Sequence, residues 1–187
     1  MRFYLLTFFF KKKNNTMACA LTTGRKIPCK SAFGGIKTVY MADFPVTATV
    51  DADQTISAFS GSPTWFQFDL KGNSSLETTI TSSRDNGTTF YTQTLNMTLT
   101  FLDNLTKNEL QLIAVARPVI VVEDYYGNQF LCGYENGMEV TGGTIVTGAA
   151  AGDLSGFTLV MEGLEETAPY FVDAGVVSGS NTQIVPN

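Results

Sequence analysis

Residues 76–101 constrain the fold of this chain more than any other stretch. Leu76, Thr78 and Ile80 alternate with Glu77, Thr79 and Thr81, and Arg84-Asp85-Asn86-Gly87 follows. An Asn-Gly pair between two alternating arms is the strongest short hairpin signal. On the return, Tyr91, Leu95, Met97, Leu99 and Phe101 fall on one side, with Gln93 the single break. Thr92, Thr94, Asn96, Thr98 and Thr100 fall on the other. This period-two pattern predicts a hairpin of about ten residues per arm, apolar on one face and threonine-rich on the other. Arms this long exceed the usual five or six residues, so the far end calls for a partner strand.

The rest of the chain is mostly written in the same period. Thr38 to Met41, Val46 to Val50, Thr64 to Leu70, Gln129 to Tyr134, Met138 to Thr147 and Phe157 to Glu162 read as strands. In Thr64 to Leu70, Trp65, Gln67 and Asp69 oppose Phe66, Phe68 and Leu70. Val119-Ile120-Val121-Val122 is continuously apolar and predicts a central strand. Gly142-Gly143 suggests a bulge, and 148–156 reads as a flexible glycine-rich loop. One helix stands out. Thr106 and Glu109 have the spacing of a capping box, Leu110, Ile113 and Ala114 form a helical stripe, and Pro118 ends it. That predicts a helix over 107–116. The fold class expected is mainly β: an antiparallel β-sandwich or open barrel of about eight to ten strands, with a long hairpin and one flanking α-helix. Residues 17–35 read as an extended arm, 36–173 as a single domain and 174–187 as a flexible tail.

The N-terminus has a different texture. Met1 to Phe10 is nearly all apolar and is followed by Lys11-Lys12-Lys13. A secretory signal carries its charge before the apolar run, and a spanning helix needs about 20 apolar residues. Residues 1–16 therefore read as an upstream over-extension of the reading frame, with Met17 as the start; a short membrane-surface anchor is the alternative. The cysteines are Cys19, Cys29 and Cys132, an odd number without a C-x-x-C, which argues for reduced thiols. Cys132 lies in an apolar run and reads as buried. Sequons at Asn14, Asn73, Asn86, Asn96 and Asn104 follow from the abundance of threonine, 25 residues in all.

Composition removes many functions. The chain has no histidine, so mechanisms that need imidazole are excluded. Charged residues are 16% and the net charge is -5, which disfavours a phosphate-gripping surface. Asp51 and Asp53 lack the glycine and distal glutamate of an EF-hand loop. Glu165-Glu166 precedes a proline and reads as solvated. Ser60-Gly61-Ser62 is not a nucleophile elbow. No catalytic constellation, cofactor motif or metal set is expected. Trp65, Tyr125 and Tyr126 could stack on a sugar, which makes a surface carbohydrate-binding β-module one alternative.

The order of elements adds a resemblance. Strands, the hairpin at 76–101, a capped helix at 106–117, further hairpins and a last strand at 157–162 resemble the tail tube proteins of long-tailed bacteriophages. The segment Gly142 to Val172, GGTIVTGAAAGDLSGFTLVMEGLEETAPYFV, is similar in texture to the C-terminal part of such virion proteins. The resemblance implies a homo-hexameric ring, rings stacked into a DNA-conducting tube, and contact with other virion proteins. It also implies synthesis in the bacterial host cytoplasm and residence in the virion tail, with no membrane, no cofactor and no specific DNA binding. Under it, Leu76, Ile80, Asn86, Gly87, Tyr91, Leu95 and Met97 are the assembly hairpin, and Thr106 and Glu109 cap the flanking helix. A capsid decoration or head–tail joining protein is the neighbouring alternative. Few charges suit buried interfaces, and an acidic surface suits a conduit that must not hold DNA.

Overall fold

Two runs, Val39-Tyr40-Met41-Ala42 and Val119-Ile120-Val121-Val122, have no face to turn to water, so each requires cover on both sides. The computed structural model supplies it. It describes residues 24–25, 33–177 and 182–184, and the readings made for residues 1–16 and for most of 17–35 lie outside the described residues. Residues 1–31 and 32–187 are separate units, and every element below belongs to the second. The strands are β1 (Ile36–Ala42), β2 (Thr47–Val50), β3 (Thr55–Ser60), β4 (Trp65–Asp69), β5 (Ser75–Ser83), β6 (Thr88–Thr100), β7 (Val119–Asp124), β8 (Gln129–Cys132), β9 (Glu139–Val146), β10 (Gly156–Glu165), β11 (Tyr170–Val172) and β12 (Thr182–Ile184). The helix α1 spans Asn104–Ile113.

Eight strands form one sheet in the order β12-β4-β1-β7-β8-β11-β3-β2, and four form a second in the order β5-β6-β10-β9. The second is wholly antiparallel, whereas the first is mixed, because β11 runs parallel to β3 and β12 parallel to β4. The large sheet curls. Trp65 on β4 and Phe59 on β3 stand five places apart in the strand order, about 24 Å in a flat sheet, yet their ring centroids are 5.0 Å apart. Inside the curl sit Tyr40, Ala42, Ile56, Trp65, Val119, Val121, Leu131 and Val172. The alternate residues Val39, Met41, Phe68, Ile120, Val122 and Cys132 point outward and pack against Leu95, Met97, Leu99, Phe157, Leu159 and Met161 of the small sheet. The expected sandwich and open barrel are thus both present, sharing β1 and β7. Full burial of each Val, Ile or Leu contributes roughly 1.5–3 kcal/mol, so the doubly covered strands anchor both layers.

Several expectations are corrected. Trp65 is fully buried inside the curl, as a core aromatic and not as the stacking residue of the carbohydrate alternative. The helix begins earlier than its threonine box suggested. Asp103 is the N-cap, and its carboxylate accepts from Thr106 N at 2.7 Å and Thr106 Oγ1 at 2.8 Å. Thr106 is therefore inside the first turn and Glu109 in the middle of α1. A charged acceptor three residues upstream outcompetes the hydroxyl for the free N–H groups. The region read as a tail contributes β12, and Val177 is fully buried. Glu165 is buried at the end of β10, not solvated. The bulge expected near Gly142-Gly143 appears as a register shift between Val160 and Met161 on β10, opposite Thr141.

Candidate assembly interface

The small sheet carries the features that water does not explain. β5 and β6 form the expected hairpin, with Leu76 opposite Leu95 and Ile80 opposite Tyr91. The closing pair is Ser83 and Thr88, so the loop holds Arg84, Asp85, Asn86 and Gly87. Asn86 N donates to Ser83 Oγ at 3.3 Å, and Gly87 takes the left-handed φ of +63° that releases the chain into β6. β10 is the partner that the long arm called for, pairing from Gly156–Thr100 to Glu165–Tyr91.

The predicted site residues divide. Leu95 and Met97 are core, holding the small sheet to the large one. Leu76 and Tyr91 are half-buried, and Ile80 is 64% exposed. Gln93 is not a defect in the apolar face. It is buried, and its Oε1 accepts from the buried Gly133 N–H at 3.0 Å, tying the small sheet to the end of β8. Phe101 leaves the face altogether, at φ +69° and 82% exposed.

No residue of β5, β6, β9 or β10 is Lys or Arg, and the carboxylates are Glu77, Glu139, Glu162 and Glu165. Three of these share one row: Glu77 pairs with Thr94, Thr94 with Glu162, and Glu162 with Glu139. Glu139 also meets Arg117 Nε at 2.9 Å. The same face carries Thr92, Asn96, Thr98 and Thr158, and Thr144 Oγ1 lies 2.6 Å from Thr158 Oγ1. The face is mainly hydroxyls and acids, with Leu164 and Phe90 as its exposed apolar side chains.

The edges of this sheet are β5 on one side and β9 on the other. Each is long and nearly uncharged, and each has an exposed isoleucine: Ile80, and Ile145 at 66%. Natural edges are usually blunted with lysine, proline or covering loops, and these two carry neither residue. The sequence reading missed Ile145; its signal was the alternation Val140, Gly143, Ile145, hidden by the bulge. Beside β9, helix α1 has no fully buried residue, and Leu110 and Ile113 are only half-covered by the core. A crevice of about 200 Å³ runs between α1 and β9, walled by Leu110, Ala114, Ile145, Phe157 and Leu159.

The titratable groups elsewhere are committed to the fold. Burial pushes Glu123 upward, but hydrogen bonds from Lys37 and Gln129, the Lys37 charge and the Tyr40 hydroxyl outweigh it and hold the carboxyl below its usual range. Lys37 Nζ lies 2.8 Å from Glu123 Oε1. Burial, then the Glu123 charge, pushes Tyr40 up to about 12. Burial raises Glu165, although its carboxylate accepts from Glu135 N and Asn136 N, both at 3.0 Å. Asp153 is lowered by the Ala150 and Ala149 N–H groups, which close the 148–153 loop onto it.

The carbohydrate alternative loses a platform, since Trp65 is inside the curled sheet while Tyr125 and Tyr126 stay exposed. A cleft of about 420 Å³ beside Phe130 and Phe171 has Asp124 as its carboxylate. That group already accepts from Tyr126 N, Asn128 N and Asn128 Nδ2. Among the described residues, no three His, Cys, Asp or Glu side chains group as metal ligands, and no helix is long and apolar enough to cross a membrane. Compared with protein-family models, curated proteins and solved structures, the chain matches none.

Proposed function

We propose that this chain is a ring-forming structural subunit of a virion, of the kind that builds the tail tube of long-tailed bacteriophages. The observation that carries the reading is the pair of open edges on the small sheet. Its four strands alternate in direction, so β9 runs opposite to β5. Rotating one copy about an axis beside another keeps each strand's sense. The β5 of the next copy then meets β9 antiparallel, and the alternation continues unbroken around a ring. An odd number of strands would not allow this.

The two edges of the sheet are staggered. β5 pairs with β6 from Asn96 to Thr88, whereas β9 sits level with β6 from Thr94 to Thr100. The mid-points of the two edges are offset by about five residues, or ~17 Å at ~3.4 Å per residue. Ring closure also removes both bare edges. The row Glu77–Glu162–Glu139 with its flanking threonines would then repeat around one wall of a channel. Such a surface repels phosphates and offers DNA no fixed grip. In this reading the partners are further copies, six to a ring, with stacked rings and other virion proteins, and the place of action is the virion tail.

Negative-stain microscopy and light scattering of the purified chain over a concentration series test this. Six-fold rings or tubes are expected. A chain that stays monomeric at every concentration refutes it.

A further inference from the structure

We infer that the edge β9, with the crevice between it and α1, is the seat for β5 of the next copy, Ile80 lying beside Val140 and Leu76 beside Ile145. The inference rests on the ring reading and adds its register.

Three constraints on the page select this pairing. The first is parity. Leu76 and Ile80 lie on the core side of the small sheet, in the rows of Leu95 and Tyr91. Val140 and Ile145 lie on the same side, in the rows of Met161 and Phe157. A slip of one residue would turn every side chain of the added strand to the wrong face, so the offset between copies must be even. The second is tilt. An offset of four residues over four strand spacings gives roughly 35°, within the barrel range, while six gives roughly 47°, outside it. The third is chemistry. The rows run Leu76–Leu95–Met161–Val140 and Leu99–Phe157–Ile145. Moving the neighbour's β5 by four residues brings Ile80 onto the row of Val140 and Leu76 onto that of Ile145. Both are apolar pairs. An offset of six would set Ile80 against Gly143 and Thr78 against Ile145.

The pairing also covers what the single chain leaves bare. Ile80 and Ile145, both about two-thirds exposed, each gain an aliphatic partner. Ile145 is a wall of the α1 crevice, so the neighbour's Leu76 arrives at its mouth. The half-covered Leu110 on α1 lies on the other wall. The hole and the arm that fills it are on different parts of the same surface, which makes the contact heterologous and able to propagate.

The test is intermolecular disulfide formation in the full chain with Cys19 and Cys29 changed to serine. Two double variants are oxidised after assembly, Ile80→Cys with Val140→Cys, and Thr78→Cys with Ile145→Cys, the pair that an offset of six would oppose. Directly opposed residues have Cβ atoms close enough to bridge. The first pair is expected to give a ladder of linked multimers on denaturing gels, and the second none. Separately, Ile80→Asp should raise the concentration needed for assembly about tenfold or more, without moving the melting temperature of the monomer. Rings that form with no ladder from the first pair, or with one only from the second, overturn the register and leave the ring reading standing. Absence of rings from the unmodified chain overturns both.

Discussion

Replacing Gln93 by Met tests the reasoning about the hairpin face most directly. Gln93 stands in the apolar row of β6, 2% exposed, and its Oε1 accepts from Gly133 N at 3.0 Å across the interface of the two sheets. Methionine has nearly the same length and packs in irregular gaps, but it removes the acceptor. The Gly133 N–H is then buried without a partner, which costs about 1–3 kcal/mol. Exchanging a buried amide for a thioether offsets less than about 1 kcal/mol of this. The net loss is about 1–2 kcal/mol. With a urea slope of about 2 kcal/mol/M for a domain of this size, the midpoint should fall by roughly 0.5–1 M at unchanged slope. Thr94→Val, one residue along and on the outer face, should stay within about 0.5 kcal/mol. If Gln93→Met unfolds at the wild-type midpoint, the side chain is not holding Gly133, and the account of the break in the pattern is wrong.

Three further outcomes follow from the same structure. Asp103→Ala should destabilise α1 by about 1 kcal/mol, because Thr106 loses its N–H acceptor, whereas Glu109→Gln should have little effect on stability; chemical denaturation of both variants decides which residue caps. For Glu165 the carboxyl is raised above its ordinary 4.5, so the folded state holds its proton more tightly than the unfolded chain does. Its contribution is full below pH 4.5 and is lost as pH rises through the raised value, and melting curves of Glu165→Gln should lack that downward slope. Cys132, pushed up to about 12 chiefly by burial, should resist alkylation in the native chain at pH 8 and react fully once unfolded.

What was legible in the sequence was what depends on neighbours in the chain. The alternation of 88–100 gave β6, and the unbroken apolar run at 119–122 gave a strand covered on both faces. What was not legible depends on residues far away. Gln93 looks like an interruption until Gly133, forty residues on, is seen to need its oxygen. Glu165 looks solvated because Glu-Glu-Thr-Ala-Pro has the texture of a surface turn, yet two N–H groups from the 135–136 turn meet its carboxylate. The curl of the large sheet depends on two parallel pairings, β11 with β3 and β12 with β4, between segments over 100 residues apart. No local period encodes those. The helix start was misplaced for a simpler reason: two acceptors lie three residues apart, and spacing alone does not rank a carboxylate against a hydroxyl.

Alternation groups Leu95 and Met97 with Ile80, since all three fall on one face, but it does not say where the core ends: the first two are core and Ile80 is exposed. The ends of the pairing do. β10 stops opposite Tyr91, so Ile80 stands in the last row it reaches and the hairpin from Thr81 to Phe90 extends past it. At the opposite corner β9 runs on to Val146 with no strand beyond it. The two overhangs are diagonal, and each leaves an isoleucine uncovered. A sheet that needed only to complete its own core would gain from trimming both ends or guarding them with lysine. The proposed ring would use both, without charge and in complementary positions, by covering the bare corner of one copy with the overhang of the next.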